Sequence, residues 1–144
     1  MIVWLNGPDT AGRTGVVREL LSRWPGALLF DPDRIGELCQ RHLLPAPVAD
    51  VCQLPVWREL VVTAADGLLQ TYGRPLIMPL TLLDRAVATG VYRALDALSW
   101  PVLQVVVDLP QAEAGWLADE ATFLTATGRD PGEVAETILA LAQG

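Results

Sequence analysis

The sequence predicts an α/β domain: a parallel sheet of five strands, flanked by helices on both faces. Two observations predict it. Short apolar runs alternate with helix-like stretches along all 144 residues. Apolar strands separated by helices imply a parallel sheet with both faces covered. The first apolar run also turns into helix through a glycine-bracketed loop, Gly7-Pro8-Asp9-Thr10-Ala11-Gly12-Arg13-Thr14.

The elements follow in order. Ile2–Asn6 is strand one and Arg13–Trp24 helix one. Ala27–Phe30 is strand two, closed by Asp31-Pro32-Asp33. Arg34–Leu43 and Val56–Tyr72 are helical, separated by the Pro45-Ala46-Pro47 break. Pro75–Leu80 is strand three, Asp84–Leu98 a helix and Pro101–Val107 strand four. Thr122–Thr125 is a short fifth strand. Pro131–Ala142 is the last helix, with Asp130 at its N-cap and Pro131 at its first position. Val56–Tyr72 is hydrophobic on several faces, so it is expected to be buried or to form a dimer contact. A membrane contact there would want a basic face, which the helix lacks.

Composition sets bounds. A chain of 144 residues, 51% hydrophobic, can bury one good core, so a single domain spanning 1–144 is expected. A net charge of −7 argues against a nucleic-acid face. Cys39, Cys52 and the single His42 make neither a disulfide framework nor a metal set, and a reduced cytoplasmic setting is the default. The N-terminus reads as a strand without a charged leader region. No apolar run reaches the roughly 18 residues of a spanning helix.

The loop carries the chemistry. Gly7 through Thr14 reads G-x-x-x-x-G-R-T between a strand and a helix, a phosphate-binding P-loop with one substitution. Its glycines let the backbone N–H groups turn inward, and the helix N-terminus adds partial positive charge. Thr14 can place its hydroxyl on the Mg²⁺ that accompanies a nucleoside triphosphate. Arg13 stands where the motif has Lys: the charge is kept, but as a planar fork. All ten basic residues are Arg, which gives that swap a compositional context.

Parallel sheets bind ligands at the carboxyl ends of their strands. That rule selects Gly7–Thr14, Asp31–Arg34, Thr81–Arg85, Asp108 and Thr127–Asp130. Asp31 can take the proton of an acceptor hydroxyl attacking the γ-phosphate. Asp33 and Arg34 fall in the same turn as substrate contacts, and Asp33 can equally be the N-cap of the next helix. Arg58 could grip a substrate phosphate or hydroxyl, with Trp57 stacking on a base. Alternatively, they are a surface Arg and a core Trp. Thr81 would face the cleft or serve the turn.

Four further segments carry a family resemblance: Met1-Ile2-Val3-Trp4-Leu5-Asn6-Gly7, Phe30-Asp31-Pro32-Asp33-Arg34-Ile35-Gly36, Leu54-Pro55-Val56-Trp57-Arg58 and Leu76-Ile77-Met78-Pro79-Leu80-Thr81. Together with the loop, over roughly the first 110 residues, they resemble the tunicamycin-resistance protein family, P-loop proteins similar to small-molecule kinases. The resemblance implies a three-layer, nucleoside-kinase-like fold, ATP binding and resistance to a uridine-containing antibiotic. It also implies that Arg129, in Thr127-Gly128-Arg129-Asp130, lies against the adenine. The family pattern has Lys at position 13 and an Arg-rich lid after strand four. Here no Arg falls between Arg93 and Arg129, so the lid expected near 111–121 is shortened or missing, with Gly115-Trp116-Leu117 as the junction. Two functions stand: an ATP-dependent phosphotransferase acting on a small-molecule hydroxyl, and a nucleotide-binding protein that sequesters the antibiotic.

Overall fold

Strand β1 (Ile2–Asn6) takes the centre of the sheet because all five of its residues are buried. In the computed structural model, which describes Met1–Gly144, it pairs in parallel with β3 (Leu76–Pro79) on one side and β4 (Val102–Val107) on the other. β2 (Leu28–Leu29) and β5 (Ala121–Leu124) form the edges, giving the order β2-β3-β1-β4-β5 with every pair parallel.

The two-residue period of a strand then sorts the core into two halves. Ile2, Trp4, Leu76 and Met78 point to one face, where they pack with Trp57, Val61, Val91 and Leu95. These last belong to α3 (Pro55–Tyr72) and α4 (Arg85–Ala97). Val3, Leu5, Ile77, Val105 and Val107 point to the other face, against α1 (Ala11–Arg23) and α5 (Pro131–Gln143). Each large apolar side chain fully buried in this way contributes about 1.5–3 kcal/mol. The result is the expected three-layer α/β arrangement.

Several boundaries shift, each for a local reason. α1 starts at Ala11, not Arg13, because the Thr10 hydroxyl accepts the Arg13 N–H and opens the helix earlier. α2 (Pro32–Leu38) likewise begins before Arg34, with Pro32 in its first turn. Its cap is Asp31, whose Oδ1 accepts the Asp33 N–H at 3.0 Å, so the capping role that the sequence offered to Asp33 belongs to Asp31. Cys39–Leu43 continues as a π turn rather than α-helix, closed by the Leu44 N–H on the Cys39 carbonyl. α3 buries one stripe, Trp57, Val61, Ala65 and Leu69, at four-residue spacing. Val56, Leu60, Val62, Ala64 and Leu68 are half-covered, and Tyr72 at its end is exposed. No helix is long and apolar enough to cross a membrane.

Between β4 and β5 the chain runs through two short 3₁₀ turns, Gln111–Glu113 and Gly115–Leu117. Ala114 and Leu117 are 1% exposed and pack on Val106, so this connection is pinned to the sheet.

Candidate functional site

The phosphate loop leaves β1 at the carboxyl edge of the sheet. Gly7 has φ +111°, and a Cβ there would collide with the Val107 carbonyl, so no other residue fits. Gly12 is needed for a different reason. A Cβ at Gly12 would lie 2.9 Å from Asp108 Oδ2 and 3.3 Å from Ala126 Cβ, so its smallness lets a second loop approach. Asn6 locks the start of the loop. Its Oδ1 accepts the N–H groups of Gly7 (2.8 Å) and Leu82 (2.9 Å), and its Nδ2 donates to the Leu82 carbonyl at 2.8 Å. Asn6 is 2% exposed, and motif spacing alone does not select it as a site residue. The signal was present as a lone amide ending an apolar strand.

Beyond Pro8, the backbone N–H groups of Asp9, Thr10, Ala11 and Gly12 have no acceptor in the protein. They lie at the N-terminus of α1, where the helix dipole adds positive potential. Such a row has the donors and the potential to accept an anion.

Arg13 lies beneath this row and is 4% exposed. Its Nη1 donates to the Gly7 carbonyl (3.0 Å) and to Thr81 Oγ1 (2.8 Å), while Nη2 faces the Asp9 carboxylate at 3.3 Å. The Thr81 hydroxyl in turn donates to the Gly7 carbonyl at 2.7 Å. Thr81 therefore supports the loop from β3 and has no free hydroxyl for a substrate. The planar guanidinium makes contacts in two directions that one ammonium could not reproduce in the same geometry.

Asp9, Arg13, Thr14, Leu29, Asp31 and Asp33 line a cleft of about 190 Å³ beside the loop. Thr14 is exposed at its floor. Three carboxylates thus face one guanidinium. Asp31 is committed to its cap and to a long contact with Arg34 at 3.9 Å. Asp33 makes no side-chain hydrogen bond. The crowding of the cleft, followed by the charge of Asp31, holds its carboxyl above the usual range, and Arg13 offsets this only in part.

The other expected residues lie elsewhere. Arg34 is 74% exposed and pairs with Glu37 at 3.2 Å, on an adjoining groove at the β2 edge that shares Leu29 and Asp31 with the cleft. Trp57 is 1% exposed, and its Nε1 donates to the Pro32 carbonyl at 3.4 Å; it is a core residue that stacks on no open site. Arg58 lines a groove of about 480 Å³ between α3 and α4, which shares no lining residue with the phosphate cleft. Arg129 is exposed on the turn after β5, with its N–H on the Ala126 carbonyl. Burial and the charge of Asp50 push the Cys52 thiol up to about 11, which keeps it protonated at neutral pH.

No family model and no curated protein matches the chain. Solved structures do. The tunicamycin resistance protein of Deinococcus radiodurans aligns with a TM-score of 0.80 at 24% identity, over 99% of this chain and 95% of that one. A sugar kinase from a Janibacter species aligns at 0.67 and 14% identity, over 99% and 94%. A gluconokinase of Sinorhizobium meliloti aligns at 0.57 and 12%, over 98% and 91%. The chain has the P-loop kinase-like fold.

Proposed function

We propose that this protein is an ATP-dependent phosphotransferase acting on a hydroxyl of a small molecule in the cytoplasm, and that it confers resistance to tunicamycin. The observation that carries this reading is the set of unpartnered N–H groups from Asp9 to Gly12, in a loop whose Asp9, Arg13 and Thr14 share one cleft with the free carboxylate of Asp33. The likeness to the D. radiodurans protein supports the substrate class.

The residues suit both reagents. Gly7 through Thr14 would cradle the phosphates of ATP, with Arg129 beside the base. No cluster of three or more carboxylates is placed to hold a metal by itself, so Mg²⁺ would arrive with the ATP phosphates and rest on the Thr14 hydroxyl, where it would supply charge neutralisation at the transferring phosphoryl. Arg13 would exchange its exposed partner Asp9 for phosphate oxygen while keeping its hold on Gly7 and Thr81.

The acceptor hydroxyl lies against Asp33. As its oxygen forms a bond to the γ-phosphorus, the bond from that phosphorus to the ADP oxygen breaks and the hydroxyl proton passes to the Asp33 carboxylate. This reverses the sequence expectation, which gave the proton to Asp31. Asp31 is spent on its cap, and the raised proton affinity of Asp33 fits the task better.

A second reading, sequestration without transfer, is favoured by the closed Arg13–Asp9 pair and by the Arg-free, pinned connection between β4 and β5. A coupled assay of ADP release, with and without tunicamycin, separates the two. Release that rises with tunicamycin and yields a phosphorylated product supports transfer. Stoichiometric tunicamycin binding without ADP release would replace it with sequestration.

A further inference from the structure

Asp108, the residue after β4, has φ 59°, a conformation that side chains rarely adopt. The fold holds it there, and its carboxylate is fully engaged. Oδ1 accepts the N–H groups of Ala126 (2.7 Å) and Thr127 (2.9 Å), and Oδ2 accepts the Thr10 hydroxyl at 3.2 Å. These partners belong to two different loops. Thr10 is in the phosphate loop and caps α1 through the Arg13 N–H. Ala126 and Thr127 open the β5–α5 connection that carries Arg129. Gly12 completes the junction, because a Cβ there would lie 2.9 Å from Asp108 Oδ2 and 3.4 Å from the Thr127 nitrogen.

No cation pairs with this carboxylate. Beside an anion-binding loop its charge works against phosphate, so its contribution must lie in what it holds together. Burial alone would raise its carboxyl, but the N–H groups of Thr127 and Ala126 outweigh that and leave it lowered. It is therefore ionised at neutral pH, and bonds from N–H to an ionised acceptor are the stronger kind.

We propose that Asp108 is a positioning residue that ties the phosphate loop to the β5–α5 loop, fixing the phosphate and base ends of a nucleotide site relative to each other before binding. This rests on the nucleotide-binding reading above. A preformed site loses less conformational entropy on binding, so the clamp favours ligands that span both loops. A ligand that touches only the phosphate loop gains nothing from the clamp and meets the carboxylate's charge.

Two ligands separate these effects. Magnesium ATP spans both loops, whereas inorganic tripolyphosphate occupies the phosphate loop alone. Their binding would be measured by titration calorimetry on wild type, Asp108→Gly and Asp108→Asn. Gly accepts a positive φ without strain, and Asn tolerates it while keeping one oxygen for the two N–H groups. In Asp108→Gly, ATP should weaken roughly tenfold while tripolyphosphate stays the same or tightens. Asp108→Asn should recover ATP binding to within about threefold of wild type. In the free protein, hydrogen exchange at Ala126 and Thr127 should quicken in Asp108→Gly while Ile138 in α5 stays protected. Equal weakening of both ligands in Asp108→Gly, or unchanged ATP binding, overturns the clamp and leaves the nucleotide reading intact. Wild type that binds neither ligand overturns both.

Discussion

Replacing Arg13 with Ala tests whether one side chain both braces the loop and meets the phosphates. A hydrogen bond from a charged donor contributes about 1.5–3 kcal/mol, and Arg13 Nη1 makes two, to Gly7 and Thr81. The Gly7 carbonyl keeps the Thr81 hydroxyl as a donor when Arg13 is gone, so the lower end applies to that bond. The ion pair adds less than about 1 kcal/mol, because Asp9 is 76% exposed. Removing a buried guanidinium also relieves its desolvation. The net loss is about 2–4 kcal/mol. With a urea dependence of about 2 kcal/mol per molar, the unfolding midpoint falls by about 1–2 M. Arg13→Lys restores one cation that reaches some of these oxygens, so its midpoint should fall about half as far. In the ADP-release assay Arg13→Ala should be inactive, and Arg13→Lys should keep or raise turnover. A midpoint for Arg13→Ala within about 0.3 M of wild type would refute the bracing role. Wild-type turnover in Arg13→Ala would refute the phosphate role.

Three further outcomes are expected. Asp33→Asn should cut turnover by about 10²–10⁴-fold with ATP affinity nearly unchanged, while Asp31→Asn should cost little, since Asn caps a helix about as well as Asp; the opposite ranking in steady-state kinetics returns the proton to Asp31. The carboxyl of Asp33 is raised, so its charged form burdens the fold above that raised pKa, and the burden is relieved as pH falls through it. Asp33→Asn should therefore melt higher than wild type at pH 7 in calorimetry, with the gap closing below about pH 3.9, the unfolded value; a gap that does not depend on pH would reject this account. Gly67 lies exposed within α3 with open space around it, so Gly67→Ala should stabilise by about 0.5–1 kcal/mol in urea unfolding, whereas Gly7→Ala should destabilise strongly by meeting the Val107 carbonyl.

The sheet was legible in the chain because apolar runs bounded by turn residues are local signals. Ile2–Asn6 agrees to the residue, and every expected strand and helix exists. The boundaries that moved depend on single capping bonds. Both Asp31 and Asp33 have the chemistry of an N-cap, and only the path of the backbone selects Asp31. The phosphate loop was legible as a motif, since its spacing follows from strand, turn and helix in series. The fates of Arg58 and Trp57 were not. They are neighbours in sequence, but on a helix they point about 100° apart, and packing sends one to the core and the other to the α3–α4 groove.

The sequence by itself determined the layers, the parallel sheet and the place of the glycine-bracketed turn, because propensity, periodicity and glycine spacing act over a few residues. Tertiary structure alone decided which distant groups meet around the loop. Arg13 meets Thr81 across 68 positions, Asn6 meets Leu82 across 76 and Thr10 meets Asp108 across 98. Such contacts depend on strand order and on which sheet edge each loop reaches. These are fixed by the burial of the whole core, and no local window of residues encodes them.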